Sequence, residues 1–332
     1  VTNQHVIPPA SLKVYYADAT LPDELLANPN VLAVIGFANH PPSTKDTDPR
    51  YLRVPLRPLG DVPYEVWLSD APVQFGRTEG VAWATDGRLS FGAIEQEELD
   101  EGVAATAERI YRSLWTHVQH SDTPNLLRVW NYLDAITQGE GDLERYRQFC
   151  IGRGRVLQEM DASQLPAATA IGRCDEDAVL QVYWLSANDA GTPVENPRQV
   201  SAYHYPRQYG PQPPSFARAM LPAQGHDLPL LISGTAAVVG HASVHQGMLV
   251  AQIEETFRNF DALIDAARAH RPDLAERFGS GAYLKAYVRD REDLQTVADA
   301  LERLLPQETQ RIILHAAICR SELAIEIDGV HA

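Results

Sequence analysis

The stretch ICRSELAIEIDG, residues 318–329, gathers a thiol, a guanidinium and a carboxyl in Cys319, Arg320 and Glu326. A guanidinium is a planar fork that binds a carboxylate through two parallel hydrogen bonds. A carboxyl taken out of water keeps its proton near neutral pH, because desolvation disfavours the charged form. Glu326 stands between Ile325 and Ile327, so on a strand it faces away from both. If that face is a cleft, it is a desolvated acid; if it is solvent, it is a surface glutamate. Arg320 is either an anion ligand or the salt-bridge partner of Glu322 or Glu326. Arg153 in FCIGRGRVL, Arg218 and Lys285 are further cations able to hold an anion. Tyr209 and Phe216, in the loop YHYPRQYGPQPPSFARAM (203–220), could wall a ring, and Gly234, Thr235 and Ala236 in SGTAA let a ligand approach the backbone. His241 and His245 are four apart, a spacing that converges only on a helix, and GHASVH reads as strand and turn, so no metal is expected. GRGR (152–155) lacks the length and the Lys-Ser/Thr pair of a phosphate loop.

The elements that must carry these groups occur twice. In the second copy, PLLISGTAAVVGHASVH reads as strand. MLVAQIEETFRNFDALIDAARAH follows with apolar residues at three- and four-residue steps, the period of a helix buried on one face. AYLKAYVRD is a strand, REDLQTVADALERLLP a helix ending before Pro306, and the closing segment gives two strands. From about residue 70 a first copy runs in the same order, ending in AIGRCDEDAVLQVYW. Laid against ICRSELAIEIDG with two extra residues in the first copy, Arg173 falls on Arg320, Gly172 on Cys319 and Gln181 on Glu326. The expected organisation is an N-terminal arm or worn third copy over 1–70, a core copy lacking the acid over 71–195, and a C-terminal copy bearing the chemistry over 196–332. In 1–70, short strands are separated by the loop NHPPSTKDTDP.

Composition narrows the function. The 332 residues carry a formal net charge of −16, with 28 Lys and Arg against 44 Asp and Glu. That balance argues against a nucleic-acid surface, which needs clustered cations. No run reaches the roughly 18 apolar residues of a membrane helix, and the start has no signal-like segment; the expectation is a cytoplasmic protein that meets no membrane. Cys150, Cys174 and Cys319 are three in number without CxxC spacing, and read as free thiols.

LISGTAAVVGHASVHQG, QIEETFRNFDALIDAA, YLKAYVRDREDLQTVADAL and ICRSELAIEIDG together resemble the RidA-type (reactive-intermediate deaminase) superfamily. With two copies in one chain and the Pro/Tyr loop ahead of the second, the sequence looks more closely like the chorismatase family over residues 70–332. The resemblance implies an α/β (α+β) fold of tandem RidA-like, chorismate-mutase-like domains, each a mixed sheet with two helices on one face, arranged as a pseudo-trimer in a monomer. It also implies a cofactor-free enzyme whose small-molecule substrate is chorismate. Such an enzyme removes the enolpyruvyl group as pyruvate, with its site between core and C-terminal domains. Under it Glu326 falls on the catalytic acid, Arg320 on the cleft arginine and Cys319 on the cysteine of members making 3-hydroxybenzoate. The same departure of pyruvate also allows 4-hydroxybenzoate as a second product. The alternatives are an imine or enamine deaminase of the RidA type, and chorismate hydrolysis to a dihydroxycyclohexadiene carboxylate. The hairpin between Arg320 and Glu326 is shorter than in single-domain deaminases.

Overall fold

A computed structural model of the chain describes residues 9–18, 21–37, 48–61, 64–158, 160–175 and 177–332; most of the loop NHPPSTKDTDP lies outside them. The N-terminal region contains β1 (Leu12–Ala17), α1 (Pro22–Leu26), β2 (Val31–Gly36), β3 (Tyr51–Arg53), β4 (Arg57–Pro58) and β5 (Tyr64–Ser69). The core region follows with β6 (Gln74–Thr78), β7 (Val81–Thr85), β8 (Leu89–Glu97), α2 (Gly102–Gln119), β9 (Asn125–Leu133), α3 (Arg145–Leu157), β10 (Ala167–Gly172) and β11 (Val179–Ala187). The C-terminal region contains β12 (Thr192–Val194), β13 (Ala219–Leu221), β14 (Leu230–Thr235), β15 (Val238–Val239), β16 (Ala242–Ser243), α4 (Leu249–Arg268), β17 (Tyr283–Val288), α5 (Leu294–Leu304), β18 (Gln310–His315), β19 (Ala317–Ile318) and β20 (Ile325–His331). The fold is mixed α/β, as the resemblance implied.

Strand order repeats through the chain. The core sheet contains the run β8-β11-β9-β10, the C-terminal sheet β14-β20-β17-β18, and the N-terminal sheet β1-β5-β2-β3. In each run the last two strands are parallel and the other pairs antiparallel. A strand that returns parallel to its neighbour needs a crossover, which α3 supplies in the core run and α5 in the C-terminal run. Two of the regions lend a strand to another's sheet. β4 from the N-terminal region extends the C-terminal sheet, and β19 from the C-terminal region pairs with β10 of the core sheet.

Helix periodicity translates directly into burial. α2 buries Val103, Ala107, Ile110, Tyr111, Leu114 and Val118, and α5 buries Leu294, Val297, Ala300 and Leu301. These stripes cover one face of their sheets. The opposite faces meet in a shared aromatic centre. There Trp67 of the N-terminal sheet packs against Trp130 and Tyr183 of the core sheet, the last two stacked at 4.7 Å. Tyr132 meets Tyr287 of the C-terminal sheet there, hydroxyl to hydroxyl at 3.0 Å.

Strand register corrects the repeat alignment. Gln181 lies opposite Tyr132, which pairs on its other side with Ile171; Glu326 lies opposite Tyr287, which pairs with Leu314. Each is the penultimate pair of its parallel ladder, so Gln181 and Glu326 are equivalent. Arg173 and Arg320 are not. Arg173 directly follows the end of β10, whereas Arg320 lies five residues beyond the end of β18. The second copy is the longer one here, because β19 leaves its own sheet to bridge to β10. Arg173 is spent on Asp175 at 2.6 Å.

GRGR proves to be helix interior. Gly152 faces α2 so closely that a Cβ there would sit 2.0 Å from the Ala104 carbonyl oxygen. Replacing Gly152 with alanine would force the two helices apart, and overpacking of this kind costs about 1–3 kcal/mol. Urea unfolding of Gly152→Ala should show a loss of that size at unchanged m-value.

Candidate active site

A cavity of about 350 Å³ opens between the core and C-terminal regions. From the core come Tyr146, Arg147 and Arg153 of α3 and Ala168, Thr169 and Ala170 of β10. The Pro/Tyr loop contributes Tyr205, Gln208, Tyr209, Phe216 and Arg218. The C-terminal sheet contributes Gly234 and Ala236, the turn after β19 brings Cys319 and Arg320, and Glu326 lies in the wall. Nine of the eleven residues singled out from the sequence therefore meet in one cavity.

Thr235 and Lys285 do not. Thr235 lies between Gly234 and Ala236, so strand alternation turns it away, and its hydroxyl donates to the Ser233 carbonyl at 3.0 Å. Lys285 points to the centre of the molecule, where its ammonium is 2.7 Å from Glu65 and 3.6 Å from Asp328. Its strand was legible, but the acids waiting on its buried face come from distant segments. His241 faces the Tyr209 hydroxyl at 3.1 Å, and His245 lies 3.4 Å from Glu255.

Glu326 is 5% exposed. Burial above all, then the negative charge of Asp328, pushes its carboxyl up to about 8, against the opposing pull of Arg128, Arg218 and Arg320. The Cys319 thiol is within weak donor distance of Oε2, at 3.9 Å. Burial and the neighbouring Glu326 push that thiol far up, so it stays protonated and is a wall rather than a nucleophile. On the other side the backbone presses close: a Cβ at Gly234 would sit 1.9 Å from Glu326 Oε1. Glycine is thus required for the acid to occupy its place.

Three guanidiniums line the same cavity as this acid, and among the described residues none has a carboxylate partner. Arg320 donates to the His241 carbonyl at 2.9 Å and the Ser243 hydroxyl at 3.1 Å, with its plane over the Tyr209 and Tyr205 rings at 4.1 and 5.0 Å. The salt bridges to Glu322 or Glu326 considered from the sequence are not formed. Arg218 donates to the Val200 carbonyl and the Tyr205 hydroxyl, at 2.9 and 2.7 Å. Arg153, 2% exposed, donates to the Ser215 carbonyl at 2.5 Å and leaves Nε without a partner. Neutral acceptors hold these groups in place without cancelling their charge. The cavity is therefore positive inside a strongly acidic protein, built to take an anion.

Sequence reasoning missed Arg147, Tyr146, Tyr205 and Thr169. Arg147 is 3.3 Å from Glu144 at the mouth. Tyr205 lay in the Pro/Tyr loop already singled out, so its ring stacking was within reach. Thr169 carried no signal, since a threonine on a strand is ordinary.

Among known proteins, residues 65–186 match the family model described as chorismatase FkbO/Hyg5-like, N-terminal. A chorismatase of Streptomyces rapamycinicus is 36% identical over 277 residues, 81% of this chain and 82% of that protein. The chain belongs to the chorismatase family. It is also similar to a 3-hydroxybenzoate synthase of Streptomyces hygroscopicus, at 31% identity over 91% of each chain. A crystal structure of a chorismatase superposes with a TM-score of 0.86 at 32% identity, covering 98% of this chain and all of that one. The chain is an enzyme of this family, and among the described residues no helix is long and apolar enough to cross a membrane.

The acid's surroundings set a stability profile. Glu326 binds its proton more tightly folded than unfolded. Its contribution is therefore full below its ordinary value near 4.5 and is lost as pH rises toward 8. Glu326→Gln removes that loss. Thermal melts should show the variant as stable as wild type or slightly less so at pH 4.5, and more stable by a few kcal/mol at pH 8.5.

Proposed function

We propose that the enzyme converts chorismate to 3-hydroxybenzoate and pyruvate, with 4-hydroxybenzoate as a minor second product, and works as a single chain. The observation carrying this reading is Glu326, a buried acid holding its proton at neutral pH in a cavity that also presents three guanidiniums without carboxylate partners. Chorismate brings two carboxylates and an acid-labile enol ether. The arginines are suited to the first, and a neutral carboxylic acid to the second.

In this mechanism Arg320, Arg218 and Arg153 hold the carboxylates while Tyr209 and Phe216 wall the ring. Glu326 gives its proton to the methylene carbon of the enol ether, which becomes a methyl group and leaves an oxocarbenium-like side chain. The ring's own 4-hydroxyl oxygen then bonds to the neighbouring ring carbon. The bond from that carbon to the ether oxygen breaks, its electron pair completes the ketone of pyruvate, and the hydroxyl proton returns to the Glu326 carboxylate. The strained oxygen-bridged ring then isomerises: the bond from the bridging oxygen to its original carbon breaks, the proton leaves the ring carbon that keeps the oxygen, and that oxygen takes up a proton, giving the phenol. No water is consumed, so a cavity that keeps water from the oxocarbenium favours this course over hydrolysis. Cys319, against the acid, fills the space where a water would attack.

The relatives named chorismatase and 3-hydroxybenzoate synthase support this reading. Purified enzyme mixed with chorismate should release pyruvate in an amount equal to 3-hydroxybenzoate and the minor 4-hydroxybenzoate together. Glu326→Gln should lower the rate at least about 100-fold, as expected for removal of a general acid. Activity should fall as pH rises through the value near 8 at which Glu326 loses its proton. Cys319→Ala should shift product toward the dihydroxycyclohexadiene carboxylate; an unchanged product mixture would remove Cys319 from the explanation. Pyruvate release without aromatic product in the wild type would overturn the product assignment, and hydrolysis of 2-aminoacrylate alone would favour the deaminase.

A further inference from the structure

The N-terminal sheet supplies no residue to the cavity lining, yet one of its carboxylates is tied to the chemistry. In the penultimate pair of the parallel ladder of β2 and β3, Ile35 pairs with Leu52 and, on its other side, with Glu65. Glu65 is thus the positional counterpart of Gln181 and Glu326. It is buried, accepts from the Trp67 indole at 2.8 Å and takes the Lys285 ammonium at 2.7 Å. Lys285 lies across the ladder from Asp328 and 3.6 Å from its Oδ1. Asp328 is two residues from Glu326 on the same face of β20, and its other oxygen accepts from Arg128 at 3.1 Å. These four buried groups, two cations and two anions, form a chain that is neutral as a whole.

We propose that Glu65 is a positioning residue for the reaction: by neutralising Lys285 it leaves the charge of Asp328 acting on Glu326, and so keeps that carboxyl in its proton-donating form. The proposal rests on the reading of Glu326 as the acid. Without Glu65 the chain would carry a net positive charge, which favours the carboxylate. The groups whose charge or contact acts on Glu326 are Asp328 on its own strand, Arg128 of β9, Arg218 of the loop, Cys319 and Arg320 of the turn, Tyr146 of α3 and Arg289 after β17. Glu65 and Lys285 act on it through Asp328.

The test uses the full chain, with two readouts: the pH dependence of pyruvate release from chorismate, and the carbon-13 resonance of the Glu326 carboxyl titrated without substrate. Glu65→Gln should move the basic limb and the carboxyl titration down by about half a pH unit or more, the scale of a unit charge on the order of 10 Å away at an effective dielectric of about 20. Lys285→Met should move both up, and the double variant should return them close to wild type. Opposite shifts are what a merely structural role cannot produce. Limbs that stay in place, or that move the same way in both single variants, overturn the proposal. If Glu65→Gln does not fold, adding it to Lys285→Met, where no buried ammonium is stranded, must lower the limb; no change there overturns the proposal equally. A Glu326→Gln enzyme with full activity would instead sink the reading of Glu326, a result separate from either limb.

Discussion

The carboxylate of Asp328 is the point on which the three sheets agree. It is fully buried, and its Oδ2 accepts from Arg128, Trp130 and Thr169 of the core sheet and from Tyr287 of its own, at 2.7 to 3.2 Å. Lys285 approaches the second oxygen and carries the link to Glu65 in the N-terminal sheet. A buried ion pair is weak evidence for net stability, because desolvation consumes most of the Coulombic gain. What it does impose is register. A strand slipped by one residue would leave a charge buried without a partner, at a cost of several kcal/mol. Thr169 passes the constraint outward, since its hydroxyl also accepts from the Gly234 backbone, on the strand that presses against Glu326. The cavity wall and the molecular centre are thus one hydrogen-bonded unit.

Around that centre three equivalent positions have taken different fates. Gln181 donates to the Arg53 carbonyl at 2.8 Å and to Glu95 at 3.0 Å, which closes the contact between core and N-terminal sheets. Glu65 is consumed by Trp67 and Lys285. Glu326 keeps a cavity in front of it and no cation bound to it. The difference between the two carboxyls lies in the neighbours: Glu65 meets an ammonium and an indole N–H, whereas desolvation beside a like charge keeps Glu326 protonated. The connection from β18 to β20, longer by two residues than the one from β10 to β11 when counted to the equivalent Glu326 and Gln181, carries β19 and delivers Cys319 and Arg320 to the open position.

Much of this was legible in the sequence, for identifiable reasons. The helices announced themselves by period, and the site by a charged pair on apolar strands. The alignment of Arg173 with Arg320 failed because residue identity was followed where register governs, and the two extra residues of the second copy carry no compositional mark. Lys285 and Thr235 were misplaced because orientation on a strand depends on which face is the cavity, a fact set by pairing between distant segments. Asp328 drew no attention, since a lone aspartate two residues from the candidate acid looks like solvent-facing alternation. The contacts that bury it, from residues 128, 130, 169 and 285, are spread over more than 150 positions.

The electrostatics of the empty and filled cavity differ in a way that suits proton transfer to carbon. With no anion bound, Arg218 and Arg320 pull Glu326 toward ionisation, and only burial and Asp328 hold its proton. In the proposed mechanism a dianionic substrate seated on the arginines cancels that pull and excludes more water, so Glu326 binds its proton more firmly once substrate is in place. Firm binding is no obstacle to transfer, because the methylene carbon gains basicity only as the ether oxygen lends its lone pair. The carboxylate left behind then lies beside a cationic side chain in a site of low dielectric, where the attraction is strong. In the same mechanism that carboxylate takes the ring hydroxyl's proton as the new bond forms. One group can therefore act first as acid and then as base, provided that Asp328 keeps the ground state protonated and Gly234 keeps it in place.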